Sequence, residues 1–220
     1  MFTHCPPKKF KKYQEAVAVT AKGGERVYTT PTGNAYPSVT TVLKAHSQAG
    51  IQAWRKRVGD EEANRVAARA GGRGTRIHNL TEHFLNNVDP LPVKLADKEM
   101  WNSLQKPLHR INNIRLQETA LYSDTLRLAG RVDCIAEYRN ELMVIDFKTS
   151  RKKKKPEYIE GYCMQVCAYG VMYQQHFNET IEKGAIIIGV EDEKPQVFIV
   201  ELTEWYDKLV YYRDLWESSH

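Results

Sequence analysis

The sequence predicts an α/β or α+β protein, one sheet with helices on both flanks, and two observations lead there. The arms Arg131 to Tyr138 and Glu141 to Lys148 are rich in Val, Ile, Phe and Tyr and are separated by a polar break, as strands of a hairpin should be, and the stretches on either side of the strand region carry helical patterns. The strands follow one another as hairpin partners, so the core is expected to be largely antiparallel, and helices before and after it supply the flanks.

The elements follow in order. Residues 15 to 30 suggest a short β-hairpin around Lys22-Gly23-Gly24-Glu25, and "PSVTTVLKA" opens a helix with Ser38 as its cap. Residues 60 to 87 read as two helices interrupted at Gly71 to Gly74, followed by a Pro-rich loop and a helix from Ala96 to Ile114. Residues 116 to 124 form the first strand of the core, Arg131 to Tyr138 and Glu141 to Lys148 the next two. Pro156 to Phe177 is a helix, Ala185 to Val190 and Gln196 to Leu202 are strands, and Thr203 to Trp216 is a closing helix.

At 220 residues the chain is expected to form one domain, with 1–30 as an N-terminal extension, 31–202 as the core and 203–220 as the C-terminal helix. A hydrophobic share of 42% and a charged share of 27% are ordinary for a water-soluble protein. A formal charge of +5 and a pI of 8.9 permit a polyanionic partner without requiring one. "MFTHCPPKKFKKY" has charges and prolines where a secretory signal needs an apolar core, and no run approaches a membrane span, so a cytoplasmic setting is expected. Cys5, Cys134, Cys163 and Cys167 lack C-x-x-C pairing and read as reduced, mostly buried thiols. The four Trp read mainly as core, although Trp54, beside Arg55, Lys56 and Arg57, is placed to stack on a base.

"GRVDCIAEYRNELMVIDFKTS" carries the chemistry. With a turn of Arg139-Asn140, or of the four residues from Tyr138 to Glu141, opposed residues have numbers adding to 279, and Asp133 faces Asp146. Their Cβ atoms are then roughly 5 Å apart, where like charges repel. Period two puts Lys148 on the Asp146 face and Met143, Ile145 and Phe147 on the opposite, buried face. A divalent cation between the carboxylates converts the repulsion into coordination, and oxygen ligands suit Mg²⁺ and Mn²⁺. An isolated D-x-K on a strand is more often a solvated face, so other residues must converge on it.

Three constellations do. His78 and Glu82 lie one helical turn apart, as do Gln165 and Tyr169 on the helix after the hairpin, where Tyr162, Val166, Tyr169 and Tyr173 also read as a plain core stripe. The run Arg151 to Lys155 leaves the carboxylate strand directly; a solvated linker elsewhere, here it would attract a phosphate backbone.

In order, G-T-x-x-H-x-x-x-E at Gly74 to Glu82, G-R-V-D ending at Asp133, D-F-K at Asp146 to Lys148 and Q-x-x-x-Y at Gln165 to Tyr169 resemble the PD-(D/E)XK nucleases of the RecB type. "YPSVTTVL" and the hairpin sequence are similar to the mitochondrial genome maintenance exonuclease branch and its phage and bacterial relatives, over roughly residues 30 to 200. The resemblance implies a restriction-endonuclease-like α/β core, a mixed central sheet flanked by helices. It implies metal ligands at His78, Asp133, Asp146 and the Phe147 carbonyl, one or two Mg²⁺ or Mn²⁺ ions, and Lys148 orienting or deprotonating the attacking water. Gln165 and Tyr169 would support the site and the strand, and Glu82 would orient His78 or be an outer ligand. Ser38, Thr40, Arg73, Thr75, Arg151, Lys152 and Lys153 are the expected DNA contacts. Where many members have Glu in D-x-K this chain has Asp146, as the family pattern allows.

The neighbouring CRISPR-associated adaptation nucleases hold an iron-sulfur cluster with one cysteine before the core and three after it; no cysteine follows Cys167 here, so no cluster is expected. The implied activity is metal-dependent hydrolysis of phosphodiesters by a DNA exonuclease, on a single strand or an end, in a bacterial or phage-infected cell. Its rivals are a structure- or sequence-specific endonuclease of the same superfamily and a nucleic-acid binder that has lost catalysis. The second is disfavoured because Asp133, Asp146 and Lys148 are all present.

Overall fold

A computed structural model describes residues 1–20, 25–89 and 91–219. Five strands, β4 (Ile111–Ser123), β5 (Leu128–Tyr138), β6 (Glu141–Ser150), β7 (Lys183–Val190) and β8 (Gln196–Glu201), form one sheet in sequence order. All neighbours are antiparallel except β6 and β7, which run parallel. A parallel pair needs a crossover, and α4 (Glu160–Phe177) supplies it. The sheet is therefore mixed, the α/β arrangement expected of a restriction-endonuclease-like core.

Both faces are covered. On one, Val144, Ile186 and Ile188 pack with Val166 and Met172 of α4, Val39 and Leu43 of α1 (Val39–Val58), and Leu209 of α5 (Tyr206–Glu217). On the other, Met143, Ile145 and Phe147 pack with Ile77 and Leu80 of α2 (Asp60–Leu85) and Met100 and Leu104 of α3 (Lys98–Leu108). The expectation of a single buried face for β6 is thus corrected: α4 lies over the Asp146 face as well, and Asp146 is 2% exposed. Among the described residues, no helix is long and apolar enough to cross a membrane.

The N-terminal strands β1 (Val17–Thr20) and β2 (Arg26–Thr29) pair as expected, and a third, β3 (Ala35–Pro37), which sequence reading missed, completes a small antiparallel sheet. The expected turn at Lys22, Gly23 and Gly24 lies outside the described residues. Tyr28 and Tyr36 seat this sheet against Ala120 and Ala129 of the main one. The adjoining Ser38 caps α1, its hydroxyl accepting from the Thr41 amide at 3.0 Å.

Two helix expectations are corrected. The break lies at Gly59, whose φ of 85° ends α1, whereas Gly71, Gly72 and Gly74 lie inside a continuous 26-residue α2. Glycine in a helix is a cost of roughly 0.5–1 kcal/mol, not a stop. Buried Ile77 and Leu80 hold α2 on the sheet. The helix expected over Ala96 to Ile114 ends at Leu108, and β4 begins at Ile111. A bulge between Asn112 and Leu116, with Asn113 at φ 47°, turns both Ile111 and Ile114 inward and imitates helical spacing in a strand.

Gly71 faces open space and Gly184 of β7 does not: a Cβ there would lie 2.6 Å from Val166 Cγ2. Gly71→Ala is expected to raise stability by about 0.5–1 kcal/mol in urea titration, the opposite of its effect if Gly71 were a helix break. Gly184→Ala should cost about 1–3 kcal/mol by overpacking.

Candidate active site

The β5–β6 turn places Arg139 and Asn140 at φ 55° and 67°, the two left-handed residues of a type I′ hairpin. Register follows the sum of 279 from Tyr138↔Glu141 through Cys134↔Ile145, one step short of the carboxylates. There the backbone ladder ends, and Asp133 Oδ2 accepts from the Phe147 amide at 2.8 Å. Asp146, one residue earlier on β6, accepts from Lys148 Nζ on Oδ1, while its Oδ2 is buried without a hydrogen-bond partner. Lys148 Nζ also lies 5.1 Å from the centre of the ring of Tyr162, which by its spacing belongs to the core stripe of α4.

α2 carries His78 to the same point. Its Nε2 donates to the Phe147 carbonyl at 2.7 Å and lies 3.5 Å from Asp133 Oδ2. On the other side of the ring, Nδ1 is 3.8 Å from Glu118 Oε1. Ligand atoms of His78, Glu118 and Asp133 all lie within 4.8 Å of one another, close enough to hold a metal ion.

Sequence reasoning missed Glu118. The β4–β5 ladder pairs Gln117 with Cys134 and Thr119 with Val132, so Glu118 stands across from Asp133. The signal was present: counting back from Ser123↔Leu128 across the hairpin loop applies the register argument used for Asp146 to the preceding strand. Glu82, expected to orient His78 or to be an outer ligand, lies on α2 outside this group. Its backbone carbonyl accepts from Gln117 Nε2 at 3.1 Å, and the acid grouped with His78 and Asp133 is Glu118.

Burial and mutual charge set the electrostatics. Burial raises the Asp146 carboxyl to about 6, with Lys148 pulling it down and Asp133 pushing it up. Asp133 is raised for the same leading reason. Burial works against the His78 imidazolium, but Glu118, Asp133 and the Phe147 carbonyl outweigh it and lift His78 from 6.5 to about 9.

Of the other expected residues, Ser38, Thr40, Gln165 and Tyr169 line one cleft with Asp133 and Glu118. Gln165 and Tyr169 are buried, and the Tyr169 hydroxyl packs on Gly130, where a Cβ would approach it to 2.8 Å. That close approach explains the glycine of G-R-V-D. Thr75 is exposed on α2 and bonds back to the Gly71 carbonyl at 3.2 Å. Arg73 is buried against Glu191, and Arg151 lines a separate bowl with it. Lys152 and Lys153 are exposed, Lys153 paired with Glu193 at 2.8 Å. Trp101 is core, and Trp54 is half-buried on α1.

In cation-free protein, a His78 value above the unfolded 6.5 means that its protonation stabilises the fold fully below pH 6.5 and that this contribution is lost as pH rises through about 9. Glu118→Gln is expected to lower the His78 value, followed by NMR titration of the ring in EDTA. An unchanged titration would show that Glu118 does not act on His78.

Residues 94–217, more than half of the chain, match the family model described as the PD-(D/E)XK nuclease superfamily; the match includes Glu118, Asp133, Asp146 and Lys148 and begins after His78. Mitochondrial genome maintenance exonuclease 1 of Homo sapiens is 29% identical over 178 residues, covering 74% of this chain and 51% of that protein. The Mus musculus protein of the same name is 28% identical over 176 residues, covering 74% and 52%. The chain thus spans about half the length of the curated relatives it matches. With its mixed sheet and the D-x-K strand at the mouth of the β5–β6 hairpin, the chain belongs to the PD-(D/E)XK nuclease superfamily.

Proposed function

We propose that the protein is a metal-dependent DNA exonuclease that hydrolyses phosphodiesters in a single strand or at a DNA end and leaves 5′ phosphates. The observation that carries the reading is the convergence of His78 Nε2, the Phe147 carbonyl and Asp133 Oδ2 beside Asp146 and Lys148. The donor set fits a hard divalent cation, Mg²⁺ or Mn²⁺: carboxylate and carbonyl oxygens with one imidazole. The buried Asp146 Oδ2 supports the fit, because a buried acceptor without a partner is costly unless something occupies it. His78, Asp133, Asp146 and the Phe147 carbonyl would hold one or two ions, with Glu118 orienting the His78 ring from Nδ1 in the place that the family resemblance offered to Glu82. A bound cation supplies Lewis-acid polarisation of the phosphoryl group and a lowered pKa for water.

The chain's own residues do the rest. Lys148, held as an ammonium by Asp146 and the Tyr162 ring, orients the attacking water and stabilises charge on the phosphoryl oxygens, while the water's proton passes by way of solvent to the departing 3′ oxygen. The water oxygen bonds to phosphorus as the bond to the 3′ oxygen breaks, leaving a 5′ phosphate and a 3′ hydroxyl. Gln165 and Tyr169 wall the cleft, with Ser38 and Thr40 at its edge as contacts for the strand. Arg151, Lys152 and Lys153 would contact phosphates farther out, and Thr75 lies on the exposed side of α2. Action at ends is supported by the relatives named as mitochondrial genome maintenance exonucleases; the reading places the activity in DNA recombination, replication or degradation.

Digestion of end-labelled oligonucleotides, single and double stranded, is expected to need Mg²⁺ or Mn²⁺, to stop in EDTA and to spare a closed circular single strand. Cleavage of the circle would make the protein an endonuclease. Asp133→Ala and Asp146→Ala should each lose cleavage while DNA binding in EDTA is kept; activity within tenfold of wild type would remove these carboxylates from the reaction.

A further inference from the structure

Away from the carboxylates, four arginines surround a second concavity. Arg65, Arg69 and Arg73 succeed one another at intervals of four on α2, and so share a face, and Arg151 enters from the end of β6. Two acids accompany them: Glu62, paired with Arg65 at 2.7 Å, and Glu191, just after β7. Four guanidinium groups against two carboxylates leave the bowl cationic.

Glu191 sits where an anion would. One of its oxygens is 3.5 Å from Arg69 and the other 3.0 Å from Arg73. Arg73 is only 8% exposed, and its buried Nε has no hydrogen-bond partner. A guanidinium suits an oxyanion that engages two of its N–H groups side by side, and Glu191 engages Nη1 alone. The site is thus built for more oxygen than it receives from the protein.

Its place in the fold ties it to the reaction. Ser150 pairs with Val190 in the parallel β6–β7 ladder, which brings Arg151 and Glu191 out at the same end of the sheet. Arg151 follows Lys148 by three residues, roughly 10 Å at the rise of a strand. A nucleic-acid strand lying across Lys148 and continuing past the end of β6 would bring one of its own phosphates to the bowl.

We propose that this bowl is a phosphate subsite for the strand being cut, and that Glu191 is a built-in competitor which the phosphate displaces. The proposal rests on the reading of the protein as a DNA nuclease. Inorganic phosphate has the same chemistry, so the test must separate it from the strand.

The test is fluorescence anisotropy of a labelled oligothymidylate in EDTA across a salt series, with wild type, Glu191→Gln and the double variant Arg69→Ala/Arg151→Ala. Removing the competing charge in Glu191→Gln should tighten strand binding about fivefold at low salt. Losing two phosphate contacts should reduce the salt slope of the double variant by about 1.4, at about 0.7 per contact. Because Glu191→Gln leaves Arg73 less well paired, its melting temperature is measured with and without the oligonucleotide, and the strand should raise it more than it raises that of wild type. A wild-type protein that cuts and binds the strand with a salt slope indifferent to the double substitution overturns the subsite alone. So does a folded Glu191→Gln that binds no tighter, or one stabilised by inorganic phosphate but not by the strand. A wild type that neither binds nor cuts the strand or an end-labelled duplex overturns the nuclease reading, and the subsite with it.

Discussion

The amide of Phe147 donates to the carboxylate of Asp133 where a regular ladder would offer it a carbonyl, and much of the site depends on that exchange. It occurs where β6 leaves β5 and continues alongside β7, the two strands of the hairpin diverging just beyond Cys134↔Ile145. A side chain that replaces a backbone acceptor is fixed by the strand itself. The Phe147 carbonyl is in turn fixed by His78, which ties α2 to the same residue. Two elements distant in sequence are thereby held to one point of β6. Two members of the proposed cation site, Asp133 and His78, are thus anchored to backbone.

The surrounding fold makes this costly arrangement tolerable. Asp146 is buried and Asp133 and Lys148 are partly buried beside it, and burial is the leading influence on all three, opposing their charges. An unpaired buried charge is strongly destabilising, whereas a mutually compensated group is not. Lys148 meets Asp146, His78 meets Asp133 and Glu118, and one atom, Asp146 Oδ2, is left over. The close approaches that seat α4 are made by residues without a side chain: Gly130 under Tyr169, Gly184 under Val166 and Gly170 under Leu202. Larger residues at those positions would lift α4, and with it Gln165 and Tyr169, from the sheet.

Much of this was legible in the sequence because it obeys short-range rules. The β5–β6 register follows from a two-residue turn with both residues left-handed, and the cap at Ser38 from a hydroxyl before an apolar helical run. What escaped depends on departures from those rules. Glu118 itself takes φ 46°, and the β4 bulge just before it makes a strand imitate a helix as far as Ile114. The glycines of α2 advertise a break that the core overrides, because a helix packed by Ile77 and Leu80 tolerates them. Arg73 was legible as a cation; its burial against Glu191, a residue more than a hundred positions away, was not.

The central claim is that His78, Asp133, Asp146 and the Phe147 carbonyl hold the cation, that Glu118 orients His78, and that Glu82 has no part in the site. The most direct measurement is a Mn²⁺ titration of EDTA-cleared protein followed by electron paramagnetic resonance of the free ion. Wild type and Glu82→Gln should deplete free Mn²⁺ alike, and Asp133→Ala should not deplete it. Binding retained in Asp133→Ala, or lost in a folded Glu82→Gln, would contradict the account.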